Sequence, residues 1–459
     1  DVPNVGTTHL VAKAGELTDE SWINKVSEPN PDYILKEKGA VLNWWDITEV
    51  EGHCSLNSKL KLVIDGVGVE EAGKLLAIAM GFPMEARVVS MMDAMTVLRL
   101  IGLIAGASGL TVTKEGLLAL NAELNKIVAA AVNTFAQNAV DILTDCPSRE
   151  RAGWLCDSYF SSRAEALFTG NNLVEKSFLE NYAMAHKSPF LPENMLPMCY
   201  PSDHNDHVYI PNWTMWYILE LRNYVKRTGD TAMLEASREK VYGLVKFFSK
   251  YYNEFGLLEN LESWVFIEWS KCNDGDYIKG LNYPSNMIWA AALEAVAEMY
   301  GDPALADKSA QMKEMIRTLA WNGTFFEDNG IRDSEGNLSK TGHTTETTQY
   351  YAFYFGTASR EAYPELFDLM LTTFGPKRDA KTVYPDVYPS NAIVGNYLRL
   401  ELLTDFGYHD QVISECRDFF SNMADMTGTL WEHSNLGCSL NHGFASMAAV
   451  YIAACAKAE

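Results

Sequence analysis

Long apolar runs are missing from this chain of 459 residues. No stretch approaches the roughly eighteen consecutive apolar residues of a membrane-crossing helix, which argues against a membrane span. The nearest candidate, Thr96 to Ala107, is broken by Arg99 and by glycines and suits a buried strand. Positive charge is scarce as well. With 37 Lys and Arg against 60 Asp and Glu the formal net charge is −23, so nucleic acid and anionic membrane surfaces would be repelled and a neutral substrate is the simpler expectation. There is no Gly-rich phosphate loop and no Gly-x-Ser-x-Gly elbow. Cysteines at 54, 146, 156, 199, 272, 416, 438 and 455 show no paired zinc spacing and read mostly as reduced, structural thiols. Asp203-His204-Asn205-Asp206-His207 has no nearby residues to complete a ligand set, and Asn273-Asp274-Gly275-Asp276 lacks the glutamate of a calcium loop. They read as a solvated loop and a turn, and no metal or cofactor is expected. The chain opens Asp1-Val2-Pro3 without a methionine, which leaves the compartment open.

Length and a 47% hydrophobic content allow a sizeable core. From about residue 121 the pattern is helical. Leu124, Ile127, Val128, Ala131, Val132 and Phe135 recur at the spacing of one buried helix face. Two connectors share a form, Thr228-Gly229-Asp230 and Tyr300-Gly301-Asp302. In each, the glycine can end one helix in a left-handed cap and the aspartate can cap the next. Helices are expected near 121–143, 157–168, 170–186, 212–228, 231–251, 284–300, 303–320, 344–356, 360–374, 391–406, 408–423 and 439–457. Six such hairpins suggest an (α/α)6 toroid over 111–459, whose connecting loops line one crater. Residues 1–110 mix strand-like segments with a helical one and are assigned to a smaller β-containing accessory domain.

Residues 145–157, Asp-Cys-Pro-Ser-Arg-Glu-Arg-Ala-Gly-Trp-Leu-Cys-Asp, are the most informative stretch. Three carboxylates, Asp145, Glu150 and Asp157, gather around Arg149 and Trp154 where Pro147 and Gly153 prevent one regular helix. Acids beside an aromatic ring suit sugar cleavage, since one must stay protonated while others hold hydroxyl groups. For a lone Glu150 a surface ion pair with Arg149 or Arg151 would be the favoured reading. Asp145 and Asp157 suit helix caps equally well.

The stretch resembles the acidic signature of the alpha-L-rhamnosidases of glycoside hydrolase family 78. Asp145, Cys146, Pro147, Arg149, Glu150, Gly153, Trp154 and Asp157 fit in order and spacing, and the departure is Cys156, where that family often has glycine. A second block, Gly428-Thr429-Leu430-Trp431-Glu432 followed by Ser439-Leu440-Asn441-His442 opening the last helix, resembles the family's Thr-x-Trp-Glu and Ser-x-Asn-His elements. The resemblance covers about 121–459 and implies the same toroid. It also implies Glu150 as general acid, Glu432 as the base that activates water, and Asp145, Arg149, Trp154, Asp157, Trp431 and His442 as sugar contacts, in an inverting hydrolase of terminal alpha-L-rhamnose. The substrate is then a rhamnose-containing glycoside. Family members usually carry β-sandwich domains on both sides of the toroid, and since the chain stops after the last helix, the C-terminal one is expected to be absent.

Aromatics supply the apolar walls that sugar C–H faces need. Trp213 and Trp216 in Pro-Asn-Trp-Thr-Met-Trp, and Trp264 and Trp269 in Ser-Trp-Val-Phe-Ile-Glu-Trp-Ser, are the candidates, with Trp213 and Trp269 preferred. At helical spacing such residues are more often core. The Glu268-Trp269 pair stands where the family often has Asp-Trp. Thr344 to Gln349 would suit a polar crater lining but needs no function as a helix start. Two alternatives stay open: another toroid enzyme acting on uronic acids, which would want more basic residues than Arg149 and Arg151, and a non-catalytic carbohydrate-binding protein, which would lack one of the two acids.

Overall fold

Residues 122–202 and 206–456 are described by a computed structural model. The expected accessory domain at 1–110, and Asp203, His204 and Asn205, lie outside the described residues. Twelve main helices follow one another: α1 Ala122–Asn138, α2 Asp157–Thr169, α3 Leu173–Met184, α4 Pro211–Thr228, α5 Thr231–Phe248, α6 Tyr283–Tyr300, α7 Pro303–Ala320, α8 Glu346–Tyr354, α9 Pro364–Thr372, α10 Tyr397–Asp405, α11 His409–Thr427 and α12 Ala448–Ala456.

Their burial sorts them into two rings. α6 is buried without a break from Tyr283 to Leu293, while α7 buries only Ser309, Met312, Ile316 and Ala320, one stripe at helical spacing. A helix buried all round belongs inside and a one-sided helix outside. Even-numbered helices form the inner ring and odd-numbered ones the outer, giving the (α/α)6 fold. The ring closes where α1 meets the last hairpin: Asn133 Nδ2 donates to the Gly428 carbonyl at 2.8 Å, and Leu430 N–H to Thr134 Oγ1 at 2.7 Å.

Connector lengths decide where a site can form. Inner helices pass to outer ones through short turns. Gly229 (φ 71°) and Gly301 (φ 68°) end α4 and α6 in the left-handed region, and Asp230 and Asp302 accept hydrogen bonds from Met233 N–H and Leu305 N–H to start α5 and α7. The return connections, 139–156, 185–210, 249–282, 321–345, 373–396 and 428–447, are all long, and all lie at the other end. That end is the crater. Its loops carry two small sheets, antiparallel β1 Leu281–Asn282, β2 Asn329–Arg332 and β3 Leu338–Lys340, and parallel β4 Thr344–Thr345 with β5 Val387–Tyr388.

Several helix ends differ from the sequence reading, with the larger shifts on the crater side, while at the other end α9 opens at Pro364 instead of 360. α1 stops at Asn138, because Thr144 N–H and Thr144 Oγ1 both bond the Asn138 carbonyl and fold 139–143 back on itself. Thr344 and Thr345 form β4 instead of opening a helix, and Thr345 caps α8 by accepting from Thr348 N–H. Residues Ala392–Asn396 form a π turn before α10. The last helical segment starts at Gly443, with His442 extended at φ −134° and ψ 123°. Glu432 N–H to Ser439 carbonyl (3.0 Å) and His442 N–H to Leu430 carbonyl (2.9 Å) zip the preceding loop into a hairpin, which leaves 439–442 no freedom to be helical.

Candidate active site

The acidic stretch folds upon itself before it meets anything else. Asp145 N–H bonds the Ala152 carbonyl, Ala152 N–H returns to Asp145 Oδ1 at 3.0 Å, and Glu150 N–H reaches Cys146 Sγ at 3.4 Å. Gly153 is pressed against the 196–200 segment, and a Cβ there would lie 2.5 Å from the Tyr200 carbonyl oxygen, so no larger residue fits. Cys156 has φ 74°, a conformation that favours glycine and explains the family preference from which this chain departs. Asp157 then opens α2, with Cys156 and not itself in the capping position, and its carboxylate is free to face the crater.

An open cavity of ≈ 400 Å³ sits there. Its polar lining is Asp145, Arg149, Glu150, Asp157, Glu432 and His442, drawn from the first and last crater loops and the start of α2. Trp154, Ile210, Trp213, Trp264, Phe266 and Trp269 form the apolar wall. Phe266 is the hub of that wall, with ring centroids 4.6 Å from Trp213, 5.6 Å from Trp264 and 4.7 Å from Trp269. Nothing in the sequence marks Ile210, whereas Phe266 lies two residues from Trp264 in the aromatic stretch 263–270.

The acids are not equivalent. Arg149 Nη2 is 3.3 Å from Glu150 Oε2 and 3.0 Å from Glu432 Oε2, so one guanidinium nitrogen bridges both. Partial burial pushes Glu150 up to about 7, and the adjacent Asp145, hydrogen-bonded and charged, adds to this against the pull of Arg149 and His442. Glu432 moves the other way. Burial alone would raise it, but His442, Arg149, the Ser439 N–H and His433 together hold it below the ordinary value. Trp269 Nε1 donates to Glu432 Oε1 at 3.1 Å and favours the ionised form further. The site thus holds one carboxyl poised to give a proton near neutrality and one kept as an acceptor.

His442 ties the halves together. Its Nε2 is 2.7 Å from Asp157 Oδ1 and its Nδ1 3.7 Å from Glu432 Oε2, too long for a hydrogen bond. Burial would lower its pKa, but Asp157 foremost, with Glu432 and Asp145, raises it above the ordinary value. Nδ1 is buried without a hydrogen-bond partner, as is Trp213 Nε1 in the wall. Two such nitrogens lining a cavity are places where ligand oxygens would be held.

Not every expected contact is in the cavity. Trp431 is 1% exposed, and its Nε1 donates to Thr427 Oγ1 at 2.8 Å, because its neighbour Glu432 takes the crater side of the hairpin and leaves the indole to the core. It packs and does not line the cavity. Trp216 is likewise core, against Tyr159 and Phe160. Thr345, Thr347, Thr348 and Gln349 are fully buried and bond inward to neighbouring loops rather than facing the cavity. Asp145, Cys146 and Glu150 offer ligand atoms within 4.8 Å of one another, the one such grouping among the described residues. Asp145 Oδ1 and Cys146 Sγ already accept the backbone N–H groups that shape the turn. The seven cysteines among the described residues form no disulfide.

Comparison with known proteins agrees with this architecture. The sequence model of the bacterial alpha-L-rhamnosidase 6 hairpin glycosidase domain matches residues 118–391, a span that contains Glu150 and stops before Glu432. Among solved structures, the chain is similar to a glycoside hydrolase family 78 rhamnosidase of Bacillus sp. GL1 (TM-score 0.61, 21% identity), covering 72% of this chain and 35% of that one. It is also similar to a rhamnosidase from Klebsiella oxytoca with rhamnose bound (0.56, 16%, 72% and 64%) and to an alpha-L-rhamnosidase from Aspergillus terreus (0.53, 18%, 72% and 39%). The chain therefore matches only about a third to two thirds of the length of those proteins. No curated protein matches.

Proposed function

This chain belongs to the bacterial alpha-L-rhamnosidase six-hairpin glycosidase family, and from that premise we propose that it hydrolyses terminal alpha-L-rhamnosides with inversion at the anomeric carbon. Glu150 protonates the departing oxygen, and Glu432 takes a proton from the water that attacks the opposite face. Asp145, Asp157 and His442 accept or donate hydrogen bonds at the sugar hydroxyls. Trp154, Trp213 and Trp269 pack the C–H faces and the 6-deoxy methyl group. The proton transfers balance within the two carboxyl groups, so the reading calls for no cofactor.

The observation that carries it is the pair of acids from the first and last crater loops meeting in one cavity across Arg149, with Glu150 pushed up to about 7 and Glu432 held below its ordinary value. Inverting enzymes hold their carboxyl groups roughly 6.5–9.5 Å apart to admit water. In this site the two oxygens that share Arg149 Nη2 can be no farther apart than the 3.0 and 3.3 Å contacts laid end to end, which is just short of that range. On this reading the guanidinium bridges the ligand-free pair, and sugar and water replace the bridge. A uronic-acid substrate is disfavoured, because Arg149 is the only Lys or Arg among the described residues lining the cavity and already serves two carboxylates. A purely binding role is disfavoured by the presence of both acids. Assay of the purified protein on a panel of nitrophenyl glycosides separates these readings: release from the alpha-L-rhamnoside alone supports the proposal, and release from uronides or from none of the panel contradicts it.

A further inference from the structure

Glu268 is fully buried beside the cavity, yet its carboxylate does not line it. Every described partner is a donor. Thr347 Oγ1 at the start of α8 bonds Oε1, Asn391 N–H reaches both oxygens at 3.2 and 3.3 Å, and Gly395 N–H bonds Oε2 at 2.9 Å. One side chain from the 249–282 loop thereby pins the 373–396 loop to an inner helix.

The pinned segment is held in a shape it would not choose by itself. Val394, β-branched and buried, has φ 67°, where such residues are genuine outliers, and it lies in the π turn Ala392–Asn396. Gly395 fits only because it has no Cβ: one would sit 2.4 Å from Glu268 Oε2 and 2.6 Å from Ser390 Cβ. The strain is tied to the cavity by a short path. Asn391 Nδ2 donates to the Trp269 carbonyl at 2.7 Å, and Trp269 is the residue after Glu268 whose indole N–H holds Glu432 Oε1. The backbone of Trp269 is therefore fixed from both sides, by Glu268 next to it in the chain and by Asn391 across the loop.

We propose that Glu268 is a positioning residue, gathering Thr347, Asn391 and Gly395 so that Trp269 is aimed at Glu432. It rests on the reading of Glu432 as the base. A donor aimed at Glu432 stabilises its carboxylate, so loss of the aim raises the pKa of the base, whereas a residue that merely supports the fold would lower stability and leave that pKa in place. The pH profile of kcat/KM reports the base of the free enzyme as its acidic limb.

The test uses the whole protein with Glu268→Gln, Glu268→Ala, Trp269→Phe and the milder Asn391→Ala. Each is expected to move the acidic limb to higher pH, by roughly half a unit to one unit for the Glu268 variants and Trp269→Phe. kcat should fall more than KM rises, and Glu268→Ala added to Trp269→Phe should move the limb no further than Trp269→Phe alone. In parallel, hydrogen exchange of a peptide spanning 390–396 should quicken by roughly tenfold in Glu268→Gln. An unmoved limb in the Glu268 variants while Trp269→Phe shifts it overturns the proposal, as does unchanged exchange at 390–396. Should Glu268→Ala fail to fold, Glu268→Gln and Asn391→Ala decide the matter by the same two readouts. Absence of hydrolysis by the wild-type protein instead defeats the glycosidase reading, and the exchange measurement then judges the pinning of the loop without reference to activity.

Discussion

Arg149 touches both acids with one nitrogen and pulls both down, so their difference comes from elsewhere: burial and Asp145 raise Glu150, whereas His442 foremost helps Arg149 hold Glu432 low, and the proposed function gives them opposite roles. Glu150→Gln is expected to lose several orders of magnitude on rhamnosides with poor leaving groups and far less on activated aryl rhamnosides, which need little protonation. Equal losses on both would remove Glu150 from the acid role. Because Glu150 is pushed up to about 7, its proton is lost as pH rises through neutrality, and the alkaline limb of kcat/KM should fall near there. Trp154→Ala should bring that limb down, by admitting water to a carboxyl that burial had raised; a limb that stays in place would mean that Trp154 only packs. Residues of this kind were readable in the sequence to differing depth. The spacing of Asp145, Glu150, Trp154 and Asp157 set them together, and all four line the cavity, since they are neighbours in the chain. Trp431 misled because adjacent residues of a hairpin point opposite ways, and which one takes the crater is decided by Ser439 across the loop.

The helices were legible for a physical reason that the loops lack. α4 to α7 are delimited by local chemistry, a glycine cap followed by an aspartate cap, and such signals reside within a few residues of the boundary they set. Asp230→Ala removes the acceptor of the Met233 N–H at 3.0 Å and is expected to cost about 1–2 kcal/mol in urea unfolding, without change in KM, because the turn lies at the end opposite the crater. A KM change in that variant would contradict a ring whose short turns and crater lie at opposite ends. On the crater side the boundaries moved. β4 pairs with β5 some forty residues away in sequence, and the π turn before α10 is clasped by Glu268 from another loop. Such partners are set by tertiary contact, and no local pattern around Thr344 or Ala392 announces them.

Across the whole molecule the buried acids set the response to pH. Asp328 is pushed up to about 7 by burial, and Glu165, Glu220 and Glu346 are raised by the same cause. Between the ordinary carboxylate range and these values the folded protein holds more protons than the unfolded chain, so stability falls as pH rises through that window. A net charge of −23 adds self-repulsion in the same direction. The melting temperature should therefore be higher near pH 5.5 than near pH 8.5, and part of the difference should survive in high salt, which screens surface repulsion but not burial; a Tm that rises with pH would contradict protonation of these buried acids. The toroid brings the first and last crater loops face to face, and on the proposed reading one water would stand between Glu432 and a sugar whose leaving oxygen meets Glu150. Proton NMR of a fresh digest of an alpha-L-rhamnoside tests that arrangement most directly. The account predicts beta-L-rhamnose as the first product, with the alpha anomer growing in only by mutarotation, whereas initial release of alpha-L-rhamnose, or a sugar ester trapped on Glu432, would contradict it.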